Sequence, residues 1–313
     1  MRGSGSGAVI ADARKQLAPG ERLRLNPTSG TKQMTAGATA AALVAAVNGD
    51  DCEIVFTTGE RADGVVKTGT ERISAFDAAP YLRERDFALA DEFFRQGAFF
   101  AAAKVLRRHS TEFHTQLAAA ETCHHWQRFD YEPAAGAAAR FNAALATDLR
   151  NRARSPQGVL SDLLAWADFA LRHNAPDDAV RLAYKSLEHA ARLRLELATV
   201  GRADTAGGGV KPNADGFYRR ADIEALRTTF VCDANKPTVA LGLKNLVTIL
   251  RDLDDPFGVN FDGRLFNLAD VRNAATHTIR PAAQADAQSF LQRARNLTGA
   301  TPTPLPTRLP PPA

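Results

Sequence analysis

Arg22-Leu23-Arg24-Leu25, then Asn26-Pro27-Thr28-Ser29-Gly30-Thr31-Lys32, then the alanine-rich run from Gln33 to Val47, then Glu53-Ile54-Val55-Phe56-Thr57: read in order, these segments decide the first part of the fold. The first is a short strand candidate, the second a turn-rich loop, the third a helix and the fourth a continuous β-favouring run. Strand, crossover helix and strand within about 30 residues make one βαβ unit. Further on, Val65-Val66-Lys67 and Arg72-Ile73-Ser74 flank Thr68-Gly69-Thr70 and are expected to pair as a hairpin. One βαβ unit cannot bury both faces of a sheet. Residues 22–75 are therefore expected to be the second half of a Rossmann-like domain, with its first half absent from this chain.

The chain changes character near Ala75, beyond which no strand is expected. Helical patterns run over about 80–96, 99–108, 111–127, 132–149, 157–173, 177–200, 220–230, 237–252, 264–278 and 283–297. Three helix starts look alike, at Phe99-Phe100-Ala101-Ala102-Ala103, Tyr131-Glu132-Pro133-Ala134-Ala135 and Pro176-Asp177-Asp178-Ala179-Val180. Each places small residues where a helix folds back on its predecessor, a loose repeat of helical hairpins. Gly207-Gly208-Gly209, extended by Pro212 and Asn213, is expected to be a mobile loop. Met1 to Gly7 reads as a flexible leader or an expression scar, and Thr301 to Ala313, TPTPLPTRLPPPA, as an extended, disordered tail.

Composition narrows the function classes. The 313 residues are 45% hydrophobic and 24% charged, which excludes wholesale disorder. Lys and Arg number 39 against 35 Asp and Glu, a formal charge of +4 that permits a polyanionic partner without requiring one. Cys52, Cys123 and Cys232 lie far apart and form no CxxC pair, which argues against a disulfide framework or a zinc ribbon and suits a reducing compartment. No apolar run approaches the length of a membrane span, and the amino terminus has no secretory h-region. A cytoplasmic globular protein is the expectation.

Two stretches carry chemistry. Thr28-Ser29-Gly30-Thr31-Lys32 lies between a strand and a helix, where backbone N–H groups, two kinds of hydroxyl, a glycine and a lysine converge. That arrangement suits an anion, and it equally suits a tight turn with a Ser/Thr N-cap. It is not a Walker A loop. The second stretch, Arg272-Asn273-Ala274-Ala275-Thr276-His277, lies in a helical pattern that sets Arg and His about 140° apart around the axis. Both could reach one cleft near a helix end or at a helix–helix interface. The alternative is a surface ion pair for Arg272 and a C-terminal cap for His277.

Asn26-Pro27-Thr28-Ser29-Gly30-Thr31-Lys32-Gln33-Met34 resembles the D-x-T-G-G-T-K-x-M signature of CARF domains, the sensors of CRISPR-associated proteins, with Asn26 in place of the acidic residue and Ser29 in place of the first glycine. Arg272-Asn273-x-x-x-His277 resembles the R-N-x-x-x-H signature of HEPN ribonucleases. The run Ala179 to Leu195, with Tyr184-x-x-x-Glu188, is similar to the first long helix of those domains. Trp126-Gln127-Arg128-Phe129-Asp130-Tyr131-Glu132 is similar to the helical connector of a CARF–HEPN subfamily. The resemblance implies a mainly α chain: a leader to residue 21, a partial Rossmann-like α/β (CARF-like) segment over 22–75, a helical connector over 76–155, an all-α HEPN domain over 156–299 and a Pro-rich tail over 300–313.

The activity it implies is metal-independent cleavage of single-stranded RNA, with no cofactor and no metal, in a composite cleft of a homodimer. His277 would move the proton, Arg272 would hold the phosphoryl oxygens, and Asn273 would orient His277 or hold the partner helix. Thr28, Ser29, Gly30, Thr31 and Lys32 would contact a cyclic oligoadenylate activator, and no membrane is involved. A non-catalytic helical adaptor that binds RNA and a HEPN toxin of a toxin–antitoxin pair are the rival readings.

Other candidates are weaker. Cys123-His124-His125 could suggest a metal, but adjacent helical residues diverge by about 100°, so ordinary core and surface is the simpler account. Arg107-Arg108-His109 reads as a helix C-terminus, where cations oppose the dipole, rather than a nucleic-acid patch. Arg192, Arg194 and Arg202 are better placed for RNA, and Glu188 either buttresses the domain through an ion pair or sits by the cleft.

Overall fold

A computed structural model describes residues 12–13, 15–16, 18, 23–27, 31–47, 52–62, 65–76, 79–202, 208–232, 235–267 and 281–312. The chain divides into two compact units, Met1–Ala90 and Asp91–Ala313.

In the first unit, strand β1 (Leu23–Leu25) leads into helix α1 (Lys32–Val47) and returns as strand β2 (Cys52–Thr58). β1 and β2 pair in parallel with Leu23 opposite Cys52 and Leu25 opposite Ile54, so the βαβ unit forms as its sequence implies. Ala42 of α1 and Ile54 of β2 are buried together, with Leu23, Leu25, Ala41, Leu43 and Phe56 packed around them. Alanines on α1 let the helix approach the strands closely. The hairpin expected between Val65–Lys67 and Arg72–Ser74 does not form. Strand β3 (Arg61–Ala62) pairs instead with β4 (Val65–Val66), and β5 (Arg72–Phe76) pairs antiparallel with β2, Ile54 facing Phe76 and Thr58 facing Arg72. The residues between β3 and β4 are Asp63-Gly64, the two-residue sequence that most favours a tight hairpin.

Helix α2 (Ala79–Arg95) belongs to the first unit up to Ala90 and to the second from Asp91, and the second unit is helical and continues through α3 (Phe99–Leu106), a 3₁₀ turn (Arg107–His109), α4 (His114–Gln127), α5 (Tyr131–Ala138), α6 (Ala143–Arg154), α7 (Pro156–Arg172) and α8 (Pro176–Thr199). A two-stranded ribbon, β6 (Tyr218–Arg219) with β7 (Thr238–Val239), flanks α9 (Arg220–Ala225). Then come α10 (Leu243–Asp252), α11 (Pro256–Asn260) and α12 (Gln284–Thr298). The 24-residue α8 is the central element and packs on α7, α10 and α12. Phe94, Phe99, Trp126, Trp166 and Phe169 interlock at the core between α2, α3, α4 and α7, with centroids 4.9 to 6.0 Å apart, edge-to-face except for the tilted pair Phe99 and Phe169.

The three similar helix starts share a backbone device, and a fourth joins them. Gly97, Phe129, Asn174 and Asp254 all adopt the left-handed conformation (φ 78°, 61°, 56° and 57°). The next residue's N–H then bonds five residues back, Ala98 to Phe93, Asp130 to His125, Ala175 to Ala170 and Asp255 to Leu250, at 2.9 to 3.0 Å. This is the Schellman C-cap, and each time a new helix begins two residues past the left-handed position.

Four expectations are corrected. The helix expected over 132–149 is two helices, because Asn142 accepts a hydrogen bond from the Leu145 N–H at 3.0 Å and caps a fresh start. The helical patterns over 220–230 and 237–252 are trimmed to α9 and α10, and the ribbon β6–β7 replaces their margins, so the second unit is not free of strand. Gly207 lies outside the described residues, but the end of the glycine stretch is anchored: Gly209 lies against the Glu196 carbonyl with no room for a Cβ, and the Val210 N–H donates to the buried Thr199 Oγ1 at 2.7 Å. The Pro-rich tail is extended, as expected, but packed: Leu309 is 3% exposed and its N–H reaches Asp91 Oδ1 at 3.1 Å.

Candidate functional site

At the start of α1, Thr31 is the N-cap. Its Oγ1 accepts from the Met34 N–H at 3.3 Å, and its carbonyl accepts from the Thr35 N–H at 3.0 Å. Lys32 follows, exposed, in the first turn, and Asn26 donates to Thr57 Oγ1 at 2.9 Å, tying the loop's start to β2. The structure thus brings Thr31 and Lys32 to a helix N-terminus, with the Thr31 hydroxyl serving the helix itself. Thr28, Ser29 and Gly30 lie outside the described residues.

Arg272, Asn273 and His277 also lie outside the described residues. Their flanks are well tied. Residues 263–267 are helical, opened by Asp262, whose Oδ1 accepts from the Leu265 N–H at 2.8 Å and whose Oδ2 pairs with Arg293 of α12 at 3.2 Å. On the far side, the Ala282 N–H donates to Asp177 Oδ1 at 2.6 Å and Gln284 Nε2 to the Leu171 carbonyl at 2.8 Å. Asp262 is thus held to α12, and residues 282–284 to the ends of α7 and α8 that face their turn.

α8 supplies the neighbouring polar groups. Glu188 accepts from Arg192 at 2.5 Å, one helical turn away, so its carboxylate buttresses the helix. Tyr218 is wholly buried; burial pushes its phenol up to about 12, with Arg192 opposing and Glu188 and Glu196 adding to the rise. Arg194 grips Asp255 through two nitrogens, at 2.6 and 3.1 Å, while Asp255 Oδ1 accepts from the Phe257 N–H and caps α11. The arginines named for RNA at 192 and 194 are thus engaged in ion pairs. Beside them α7, α8, α11 and α12 line an open cavity of about 620 Å³, with apolar Leu160, Leu193, Leu197 and Phe257 and polar Arg194, Arg293 and Asn296 among its walls.

The connector-like block converges on a residue that the sequence reading passed over. Asp162 of α7 is 0% exposed. It accepts from Trp126 Nε1 at 2.8 Å, Tyr131 OH at 2.9 Å, Arg152 Nη1 at 3.1 Å and Thr303 Oγ1 at 2.5 Å. A buried carboxylate with four donors is fully solvated by protein. The signal was an aspartate inside the apolar run Val159-Leu160-Ser161-Asp162-Leu163-Leu164, facing the interior by helical spacing.

Cys123 is a core residue, its thiol pushed up to about 12 by burial, while His124 and His125 are partly exposed, and among the described residues no three ligand side chains cluster. Arg107-Arg108-His109 is the 3₁₀ turn that ends α3. No helix among the described residues is long and apolar enough to cross a membrane.

No protein-family model and no curated protein matches the chain. Solved structures do. The chain is similar to Csm6 of Enterococcus italicus, solved bound to cyclic hexa-2'-fluoro-hexa-dAMP, with a TM-score of 0.61 at 9% identity over 93% of this chain and 71% of that one. At that identity the likeness is one of fold: a helix-rich chain with a small sheet, of the kind seen in Csm6.

Proposed function

We propose that the chain is a CARF–HEPN endoribonuclease of the CRISPR-associated kind, cleaving single-stranded RNA without metal as a cytoplasmic homodimer. The observation that carries this reading is the R-N-x-x-x-H sequence at Arg272, Asn273 and His277, set late in a helical chain whose fold is similar to that of Csm6 over 93% of its length. Fold alone does not assign a function; the motif supplies the chemistry.

In the proposed reaction the ribose 2′-OH attacks the adjacent phosphorus. His277 takes or returns the proton, the P–O5′ bond breaks, and the products are a cyclic 2′,3′-phosphate and a 5′-OH. An imidazole titrating near neutrality suits the proton transfer. The guanidinium of Arg272 offers two parallel N–H donors to the phosphoryl oxygens as negative charge builds there. Asn273 orients His277 or the partner helix. Thr28, Ser29, Gly30, Thr31 and Lys32 would hold a cyclic oligoadenylate, and the cyclic hexanucleotide bound to the similar Csm6 makes the hexa-adenylate ring the first to try.

The test is cleavage of a fluorogenic single-stranded RNA in EDTA, with and without cyclic hexa-adenylate, by the wild type and by His277→Ala. Turnover in the wild type that the substitution abolishes, with RNA affinity retained, supports the nuclease. Affinity with no turnover in either chain would instead make it the non-catalytic adaptor.

A further inference from the structure

The outer face shared by α3 and α4 carries three neighbouring aromatic rings. Phe100 is 56% exposed, its ring centroid lies 5.4 Å from that of His124, and His124 lies 5.3 Å from His125. Phe100 and Lys104 of α3 with Arg107 of the 3₁₀ turn follow one another at helical spacing, as do Glu121 and His124 of α4 with Arg128 at its C-cap, so two stripes run side by side. Glu121 joins them: it accepts from Arg107 at 2.8 Å and also from Arg140. One carboxylate between two guanidiniums leaves a positive charge over. Arg128, 63% exposed in its side chain, pairs with Asp130 at 3.3 Å, and Lys104 stands exposed between the two ends. Four cations and two carboxylates therefore surround three mutually tilted rings, Phe100 exposed and His124 and His125 half-buried.

We propose that this ridge is a second single-stranded RNA-binding surface, on which bases stack against Phe100 and His124 while backbone phosphates meet Lys104, Arg107, Arg128 and Arg140. Unstacked bases offer their π-faces to exposed aromatic rings, which a duplex does not, and their phosphates seek a cationic rim. The core of a protein–protein interface, by contrast, is depleted of charge. Burial, then the charges of His125 and Arg128, lower the His124 pKa from its ordinary 6.5, so at pH 7 the ring is a neutral stacking face. The ridge would hold RNA bound for cleavage, and in this it rests on the reading of the chain as an RNA-cleaving enzyme.

Binding is measured by fluorescence anisotropy on the full chain carrying His277→Ala, with a 5′-labelled, unstructured single-stranded RNA of about a dozen nucleotides as probe. Phe100→Ala is expected to weaken binding roughly ten-fold, and Phe100→Tyr to keep it. The pair Arg107→Gln with Arg128→Gln is expected to reduce the slope of log affinity against log salt by about 1.4. Unchanged affinity in Phe100→Ala overturns the ridge. So does a Phe100→Ala chain that binds RNA as before but shifts its oligomeric state in sedimentation, which would make the face a protein interface. A wild type that binds through Phe100 but does not cleave sinks the nuclease reading and leaves the ridge standing. A wild type that cleaves while Phe100→Ala binds normally sinks the ridge alone, and absence of any RNA binding sinks both.

Discussion

Asp162 shows how one side chain can hold four segments of chain at once. Trp126 and Tyr131 reach it from α4 and α5, Arg152 from α6 and Thr303 from the tail, all at hydrogen-bond distance. Replacing it with leucine would leave the Arg152 guanidinium with Asp148 alone as a carboxylate partner and strand three neutral donors in a dry site. The expected loss is about 3–5 kcal/mol, the range for breaking a buried ion pair from one side, read as a lower urea midpoint at unchanged slope. A midpoint within error of the wild type would mean that water replaces the carboxylate. Glu121 behaves differently because it lies nearer the surface. Burial alone would raise its carboxyl, but the hydrogen bonds and charges of Arg140 and Arg107 outweigh that and hold it below the usual 4.5. A carboxyl depressed in the folded state stabilises fully above its unfolded value, and that contribution fades as pH falls through the lower folded value. Glu121→Gln should therefore lower the neutral plateau of a stability–pH profile and flatten its acid limb, the two profiles converging at low pH. An acid limb as steep as that of the wild type would show that other carboxylates set it.

At the scale of elements, the repeated turn decides where helices stop and restart, and the same turn predicts opposite outcomes at two positions. Gly97 sits at φ 78°, and a Cβ there would lie 2.6 Å from Phe169 Cε1. Gly97→Ala should cost about 2 kcal/mol or more, from left-handed strain and the displaced ring together. Asp254 holds the equivalent place at φ 57° with an exposed side chain, so Asp254→Gly should relieve strain and gain roughly 0.5 kcal/mol net of the glycine's unfolded-state entropy. Thermal melts of the two variants moving in the same direction would contradict this account. The positions also explain what could be read beforehand. The starts at Phe99, Tyr131 and Pro176 were visible from the small residues that follow them, whereas the left-handed residues include a phenylalanine and an aspartate, which composition does not flag. The break at Asn142 and the Asp63-Gly64 hairpin were present as cap and turn chemistry. An alanine-rich helical period and a nearer valine pair masked them. Of the candidate site, the motifs at 28–32 and 272–277 were legible as residue patterns, but distant partners such as Asp162 and Thr303 meet only through tertiary packing.

At the scale of the whole molecule, the tail is the element whose sequence was most misleading. Proline density precludes a helix and was taken to imply disorder, but proline also lowers the entropy lost when an extended segment docks. A polyproline-like chain makes no internal hydrogen bonds and leaves its carbonyls available to neighbours. Gln116 of α4 uses one of them, donating to the Pro311 carbonyl at 2.7 Å. Thr303 enters the Asp162 network, Leu309 is buried, and the Leu309 N–H ends on Asp91. From the end of α12 the tail thus crosses α7 at Thr303, reaches α2 at Leu309 and passes on to α4 at Pro311, fastening the last helix to the earlier ones. Deleting residues 300–313 should remove the Thr303 hydroxyl from Asp162 and Arg152 and uncover the apolar site of Leu309. A loss of about 3 kcal/mol is expected, which for a chain of this size lowers the melting temperature by roughly 6–12 °C. Thr303→Val, which removes only the hydroxyl, should account for about a third of that. If the deletion melts with the full chain, the tail is a passenger and the Asp162 network closes without it; if Thr303→Val alone matches the deletion, the strap acts through that single hydrogen bond and the buried Leu309 contributes little.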